Sequence, residues 1–407
     1  MRRRRAPLTP GRECTPIERV EIPLNAPSLA LRTAALVLAS LAPGCQGTPA
    51  DAPSRDAETD VPAVPADAAG SSAGDVAAPD AEPDTAAQTL TYRAGPWTLP
   101  PGGERAADCE SWTLHNEEPL YLNVVEMEAT LGMHHSNWFF VPESRYPGPD
   151  GTWRCSERNF EQGVASYLGG VFFAQSTQVQ REAQRFPPGT VVVIPPRSRI
   201  IGALHMLNAS PQPREISLSL TARTIPRSQV RTRLAPFYLE YGPLEITPRG
   251  RSQFDVECPV DERAMRLTGA PFAARFYYGL AHYHELGHQM RVSVVGGAAD
   301  GRTLYETTSQ QGDSWARTMD PPIDVTGARA LRLSCVFDNP RSSTVRYGIG
   351  DQEMCIWFGF TDSAYQWAGR APQSARAMVQ RETRDGVNYN TAPCTELFSL
   401  LAMHNNQ

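Results

Sequence analysis

The chain has 407 residues, of which 41% are hydrophobic and 20% are charged, and its formal net charge is -6 at pH 7. A chain of this length can form two domains of ordinary size, each with its own core. All 38 basic residues are arginine, and residues 91–407 carry a net charge of only -2. A body so close to neutral lacks the basic surface that nucleic-acid binding requires, which argues against DNA or RNA as a partner.

Residues 1–45 are predicted to be a leader. The segment LRTAALVLASLAPGC combines one arginine, an apolar run of about nine residues and small residues before Cys45. This run has the length of a secretory signal and is too short to span a bilayer. Cys45 resembles the acylated cysteine of bacterial lipoproteins, so we expect either lipidation there or ordinary signal cleavage. Both outcomes predict an exported protein, in the cell envelope, the periplasm or the medium.

Residues 46–90 are predicted to be a disordered tether. They are rich in Ala, Asp and Pro and contain almost no large apolar side chains, so they cannot bury enough surface to offset the entropy of ordering. With Cys14 in the leader and Cys45 acylated, six cysteines remain in the rest of the chain. An even number in an exported chain predicts three disulfides, although spacing alone does not choose among the many pairings.

From residue 91 onward the chain is predicted to be all-β. Short segments rich in β-branched and aromatic residues are separated by Gly, Pro and Asn clusters, as in β-sandwiches. No helical period lasts longer than about three turns. The stretch around 221–234 is typical of a linker, which gives an N-terminal domain at 91–225 and a C-terminal domain at 226–407. The predicted strands include LYLNVVEM, GVFFAQSTQVQ, TVVVIPP, REISLSLTART, FYLEYGPLEI, MRVSVVGG and ALRLSCVFDN.

Two incompatible metal-binding motifs overlap in AHYHELGHQMRVSVV, at 281–295. His284, Glu285 and His288 form HExxH, the zinc-protease signature, which requires a helix so that positions four apart share a face. His282 and His284 form HxH, which requires a strand, where positions two apart share a face. The period of this segment therefore decides which chemistry is available.

The flanking residues favour the strand. A helix here would hold Gly279 and Gly287 in its interior, at a cost of about 1 kcal/mol each relative to Ala, and would run into the β-branched VSVV. A strand leads naturally into the same VSVV. We therefore predict that His282 and His284 lie on one strand with their rings on the same side.

Three further histidines and one methionine are weak signals when taken singly. His134 and His135 are adjacent and would point to opposite faces of a regular strand, so a shared metal requires a bulge or a strand end at that point. A solvated pair is the simpler interpretation. His205, in an apolar stretch, is by itself typical of a core histidine, and Met354 of core filler.

Taken together, the order HH, H, HxH, M resembles the copper type II, ascorbate-dependent monooxygenases, the family of peptidylglycine alpha-hydroxylating monooxygenase and dopamine beta-monooxygenase. The resemblance covers about residues 105 to 395, and hence both predicted domains. Its most specific parts are HxHxLG, matched from His282 to Gly287, and the triplet EMC, matched from Glu353 to Cys355.

The resemblance implies two tandem β-sandwiches of jelly-roll type, each with one copper, in a monomeric enzyme that acts on a small molecule and O2 with ascorbate or an equivalent reductant. The copper that passes electrons would be bound by His134, His135 and His205. The copper at which oxygen is activated, and a C–H bond hydroxylated, would be bound by His282, His284 and Met354. These ligands suit the chemistry, because a thioether favours Cu(I) and imidazoles hold both oxidation states.

The resemblance also implies disulfides and a substrate preference. The family pattern pairs Cys109 with Cys155, Cys258 with Cys394 and Cys335 with Cys355. Leu280, Ile356 and Phe358 stand where the peptide enzyme has the Arg, Asn and Tyr that hold its substrate's carboxylate. Because Leu cannot replace a bidentate Arg, we do not expect a peptide carboxylate as substrate, and we expect an apolar pocket.

Three other functions remain open from the sequence. The chain could bind or sense copper at the cell surface without turnover, or hydrolyse a substrate with a zinc ion on His284, Glu285 and His288. It could also be a metal-free adhesin. Any membrane contact is expected only through a lipid on Cys45.

Overall fold

A computed structural model describes residues 86–401 except 310 and 349. The predicted leader, including Cys14 and Cys45, lies outside the described residues, as does nearly all of the predicted tether. The last two residues of that predicted tether, Thr89 and Leu90, already belong to the first strand. No helix among the described residues is long and apolar enough to cross a bilayer.

The described part of the chain is built almost wholly of strands. Those before the linker are β1 (Thr89–Leu99), β2 (Glu104–Thr113), β3 (Leu120–Ala129), β4 (Met133–Pro142), β5 (Gly151–Arg154), β6 (Gly170–Ala174), β7 (Arg181–Arg185), β8 (Thr190–Ile194), β9 (Ser198–Leu207) and β10 (Arg214–Thr224). Those after it are β11 (Thr232–Tyr241), β12 (Glu245–Ile246), β13 (Gly250–Cys258), β14 (Arg275–His282), β15 (Gly287–Val295), β16 (Thr303–Thr307), β17 (Arg317–Asp324), β18 (Ala330–Asn339), β19 (Val345–Arg346), β20 (Ile356–Thr361), β21 (Tyr365–Ala371), β22 (Gln380–Arg384), β23 (Val387–Pro393) and β24 (Glu396–Leu401).

The helices of the described residues are all short. They are α1 (Gln162–Leu168), α2 (Val260–Thr268) and three 3-10 helices at Cys155–Arg158, Arg227–Gln229 and Gln373–Met378. This agrees with the absence of any long helical period in the sequence.

The N-terminal half is a sandwich of two antiparallel layers. One layer has the order β1-β10-β3-β8, with β7 also paired to β3, and the other has the order β5-β2-β9-β4-β6. Strand β10 shows why they face each other: Ile216, Leu218, Leu220 and Ala222 alternate with more exposed residues and are buried in the core. Because apolar residues alternate with more polar ones in the sequence, one face of this strand is buried.

The C-terminal half repeats the arrangement. Strands β11-β20-β14-β17 form one layer, with β21 paired to β11 and β24 to β21, and β16-β15-β18-β13-β23-β22 form the other. In β18, Leu331, Leu333, Cys335 and Phe337 alternate inward onto the core. The prediction of an all-β chain built from β-sandwiches is confirmed.

One strand pair joins the two halves. β8 lies parallel to β11, with Thr190 opposite Thr232 and Val192 opposite Leu234, so that one eleven-stranded sheet runs through both halves. Half of the linker predicted around 221–234 is strand, and 225–231, with its 3-10 helix, lies between β10 and β11.

The three disulfides have the predicted partners. Cys109–Cys155, Cys258–Cys394 and Cys335–Cys355 have Cα–Cα separations of 5.1, 5.0 and 6.1 Å, which lie within the range that the bond requires. Three disulfides are compatible with an exported protein, because oxidising compartments are where such bonds persist.

Candidate metal centre

Five buried histidines meet where the two halves face each other. Each is at most 7% exposed. They include two sets of three histidines. Each histidine of a set offers one ring nitrogen, and the three nitrogens lie within 4.8 Å of one another. The first set is His134, His135 and His205; the second is His135, His282 and His284. The sequence assigned these residues to two separate coppers, whereas the structure brings all five into one cluster, which we call the histidine cluster, with His135 in both sets.

Neighbouring strands of the N-terminal half position the first three. β4 and β9 are antiparallel, and His135 lies opposite His205. The register shifts between Met133 and His135, so the extra residue, His134, can lie on the same side as its neighbour. A metal shared by the two histidines requires a bulge or a strand end at HH, and the register shift is such an irregularity.

The other two histidines lie at the end of a strand. β14 ends at His282, and the chain then passes through His284 and a turn into β15, which belongs to the other sheet of this half. The prediction that both residues lie on one strand was right for His282 and wrong for His284, because the chain has to leave its sheet here. The rings still converge, with centroids 5.4 Å apart.

The helical alternative for this segment is wrong. Residues 283–286 form no helix, and strands flank them on both sides. His288 lies in β15 with its side chain 49% exposed, 3.4 Å from a carboxylate oxygen of Asp338, and belongs to neither set. Glu285 is exposed and pairs with Arg341 at 3.0 Å. The HExxH residues therefore do not form a site.

Glu353, the first residue of the EMC triplet, holds the turn that carries His284. Its two carboxylate oxygens accept the backbone N–H groups of His284 and Leu286, each at 2.7 Å. The side chain is buried, and desolvation raises its pKa to about 7. One carboxylate thus connects the turn that carries His284 to the segment of Met354.

Gly287, the last residue of the HxHxLG motif, is required by close packing. A Cβ atom at this position would lie 1.9 Å from the ring of Tyr283. That ring belongs to the residue between the two histidines, so any larger side chain would displace the segment that carries them.

The histidine rings are kept neutral. Burial, reinforced by the neighbouring rings, lowers the pKa of His134 to about 2 and that of His135 and His282 well below the usual value. Burial also lowers the pKa of His284 to about 4 and lowers that of His205, against the opposing effect of Glu104. Neutral imidazole is the form that binds a metal.

Hydrogen bonds fix the orientation of two rings. His205 Nε2 lies 2.7 Å from Glu104 Oε1, and its Nδ1 lies 3.2 Å from His135 Nε2. His284 Nδ1 donates to the carbonyl oxygen of Gln352 at 2.7 Å, which leaves its Nε2 as the acceptor. Metal-ligating histidines are held by carboxylates and backbone carbonyls in this way.

Several ring nitrogens have no hydrogen-bond partner. His134 Nδ1, His135 Nδ1 and His284 Nε2 are buried and unpaired among the described residues. An unpaired buried polar atom costs about 1–3 kcal/mol, and a metal ion would satisfy these atoms. The donor set of the histidine cluster therefore fits a transition metal.

A cavity of about 980 Å³ opens onto the histidine cluster. His135, His205, His282 and Met354 lie in its wall, and Met354 is only partly buried, so it is not simple core filler. Of the three apolar residues that replace the family's substrate-binding side chains, Ile356 and Phe358 also line the cavity, whereas Leu280 is buried in the core.

Two loops beside the histidine cluster connect the halves. Thr177 Oγ1 donates to the carbonyl of Tyr283 at 2.8 Å, and the amide of Trp315 donates to Ser176 Oγ at 2.9 Å. The amide of Gly312 donates to the carbonyl of Thr177 at 3.1 Å. These contacts hold the second histidine pair against the first set.

Comparison with known proteins gives no relative. No family model and no curated protein matches the chain. Solved structures with weak similarity include the VP2 subviral particle of infectious bursal disease virus, at 9% identity and a TM-score of 0.14, covering 70% of this chain and 73% of that one. The Gt strain of the same virus gives 9% identity and a TM-score of 0.11, covering 70% and 74%.

Proposed function

We propose that this chain is an exported copper-dependent monooxygenase that hydroxylates a C–H bond of a small molecule with O2 and a one-electron reductant such as ascorbate. The observation that carries the proposal is the convergence of five buried, neutral imidazoles from both halves beside a cavity whose wall includes Met354. The shared order of ligands with the copper type II monooxygenases supports it.

Two coppers per chain would be held by the two ligand sets. His134, His135 and His205 would bind one. His282, His284 and Met354 would bind the other, and His135, which belongs to both sets of three histidines, lies within reach of it. Copper supplies one-electron redox chemistry with O2, and a site that contains a thioether favours Cu(I).

Other groups of the protein would orient the ligands of this site. Glu104 and the carbonyl of Gln352 orient their histidine rings, and Glu353 holds the turn between His284 and Leu286. The cavity would hold the substrate against the second ligand set and exclude bulk water. We further propose that a lipid on Cys45 tethers the protein to the cell envelope and that it acts as a monomer.

A copper-binding or copper-sensing surface protein without turnover is the second candidate, because the same ligands would serve it. The cavity favours the enzyme, since about 980 Å³ is the size of a site for a small organic molecule and a storage site needs no such space.

The test combines metal content with oxygen uptake. Protein purified with copper should hold about two coppers per chain and consume O2 with ascorbate. Met354→Ile should cost under about 1.5 kcal/mol of stability, keep the first copper reducible by ascorbate, and lose oxygen uptake. The matched control is Met378→Ile, at a methionine that is 50% exposed.

The converse variant is His205→Ala. It should bind copper at the second ligand set but turn over slowly, because the copper that passes electrons is missing. Copper binding without oxygen uptake on any substrate would favour the sensor. Wild-type uptake in Met354→Ile would refute the role given to that residue.

A further inference from the structure

The cavity beside the histidine cluster contains charged groups, and each of them is already paired. Apart from the histidines, its charged lining residues among those the structure describes are Asp108, Glu240 and Arg370. Asp108 has a fully buried side chain and pairs with Arg105 and Arg154. It therefore offers no free charge to a ligand.

Glu240 lies in a closed network. Tyr238 donates its hydroxyl to a carboxylate oxygen of Glu240, and the hydroxyl of Tyr347 also bonds to this side chain. Arg370 Nη1 lies 4.0 Å from Glu240 Oε2, and Arg370 also pairs with Glu396. Burial raises the pKa of both tyrosines well above the usual value, so their hydroxyls remain donors to Glu240.

The remaining wall is largely apolar. Phe139, Val171, Leu204, Ile356 and Phe358 line it. A charged ligand would lose its hydration against this wall without gaining a free counter-charge, and burying an uncompensated charge is strongly unfavourable. A neutral ligand would bury apolar surface at about 25 cal/mol per Å² instead.

We propose that the cavity selects a neutral, mainly apolar organic molecule and that Arg370, which pairs with both Glu240 and Glu396, opposes the binding of ammonium compounds. That the molecule is the one hydroxylated rests on the proposed function; the selectivity of the cavity does not. Peptide carboxylates and ammonium compounds are accordingly poor ligands of the unmodified chain.

The experiment measures ligand binding to the metal-free full chain, followed by the fluorescence of its tryptophans, of which Trp367 lines the cavity. The probes are 2-phenylethanol, 2-phenylethylammonium and phenylacetate, which have similar shapes and differ in charge. We expect 2-phenylethanol to bind at least about tenfold more tightly than either ion, a difference of about 1.4 kcal/mol. An ion that binds as tightly, or a failure of all three to bind, would overturn the proposal.

Arg370→Gln provides a gain-of-binding test that a misfolded variant could not pass. It removes the cation that stands beside Glu240 and Glu396, so 2-phenylethylammonium should gain at least about tenfold in affinity. The matched control is Arg251→Gln, which breaks an exposed pair with Asp338 and lies outside the cavity lining; it should bind all three probes as the unmodified chain does. No gain in Arg370→Gln, or an equal gain in the control, would refute the role of Arg370.

This outcome is separable from the proposed function. Neutral selectivity without oxygen uptake in the copper-loaded protein would retain the inference and reject the monooxygenase. Oxygen uptake that is fastest with the ammonium or the carboxylate probe would retain the monooxygenase and reject the inference.

Discussion

The histidine cluster should make the metal-free protein sensitive to acid. An unperturbed histidine has a pKa of about 6.5, whereas the folded protein lowers the pKa of His134 to about 2 and that of His284 to about 4. Between pH 6.5 and the folded-state pKa of each ring, the unfolded chain binds a proton at that ring and the folded chain does not. The stability contributed by the neutral rings is therefore complete above about pH 6.5 and is lost as the pH falls towards the folded-state pKa.

The magnitude follows from the number of protons. Each proton that only the unfolded chain binds costs about 1.4 kcal/mol per pH unit. From pH 7 to pH 5 this amounts to about 2 kcal/mol per ring, or about 4 kcal/mol for His134 and His284 together. His135 and His282 act in the same direction, because their pKa values are also lowered. Since a domain is stable by only about 5–15 kcal/mol, acid should remove a large share of the free energy of unfolding.

Urea denaturation of the metal-free protein at pH 7 and pH 5 measures this loss. In His134→Gln one ring is gone, so the loss between the two pH values should be about 2 kcal/mol smaller than in the unmodified protein. The control is His115→Gln, at a side chain that is 74% exposed, and it should lose as much as the unmodified protein. Equal losses in His134→Gln and in the unmodified protein would refute the neutral, buried state of this ring.

Three further predictions follow from the surroundings of the site. His135→Ala should remove copper from both ligand sets, whereas His205→Ala should remove it from one; metal analysis after dialysis distinguishes these, and equal losses would contradict the shared position of His135. Replacing Cys335 and Cys355 by Ala opens a link that spans 20 residues and should cost about 3 kcal/mol in urea denaturation; an unchanged midpoint would contradict this. Gly287→Ala should cost about 1–3 kcal/mol, because its methyl group meets the ring of Tyr283; thermal unfolding at the wild-type temperature would show that the ring can move aside.

The sequence predicted the local features of the site well. A metal shared by His134 and His135 required a bulge or a strand end, and the register shifts at that point. The glycines and the β-branched run around His282 and His284 ruled against a helix, because those residue types have poor helix propensity. Such arguments succeed where the cause lies within a few residues of the effect.

Features that depend on distant residues were missed. Glu104 lies 101 residues from His205, and Glu353 lies 69 residues from His284. No local sequence pattern therefore predicts either contact. The EMC motif marked Glu353 but not its role in the turn. Whether one strand carries both His282 and His284 depends on where the chain changes sheets, and alternation alone does not contain that information.

The loop contacts beside the histidine cluster offer an internal reporter. The amides of Gly312 and Trp315 have their acceptors on the other half of the molecule, at Thr177 and Ser176. Any separation of the halves removes both acceptors and the short β8–β11 pairing, while the other ladders within each half stay intact. Amide hydrogen exchange resolves such partial openings from global unfolding. Deuterium uptake at these two amides, compared with that of the β18 amides, would therefore give the free energy of opening the cluster without an attached probe.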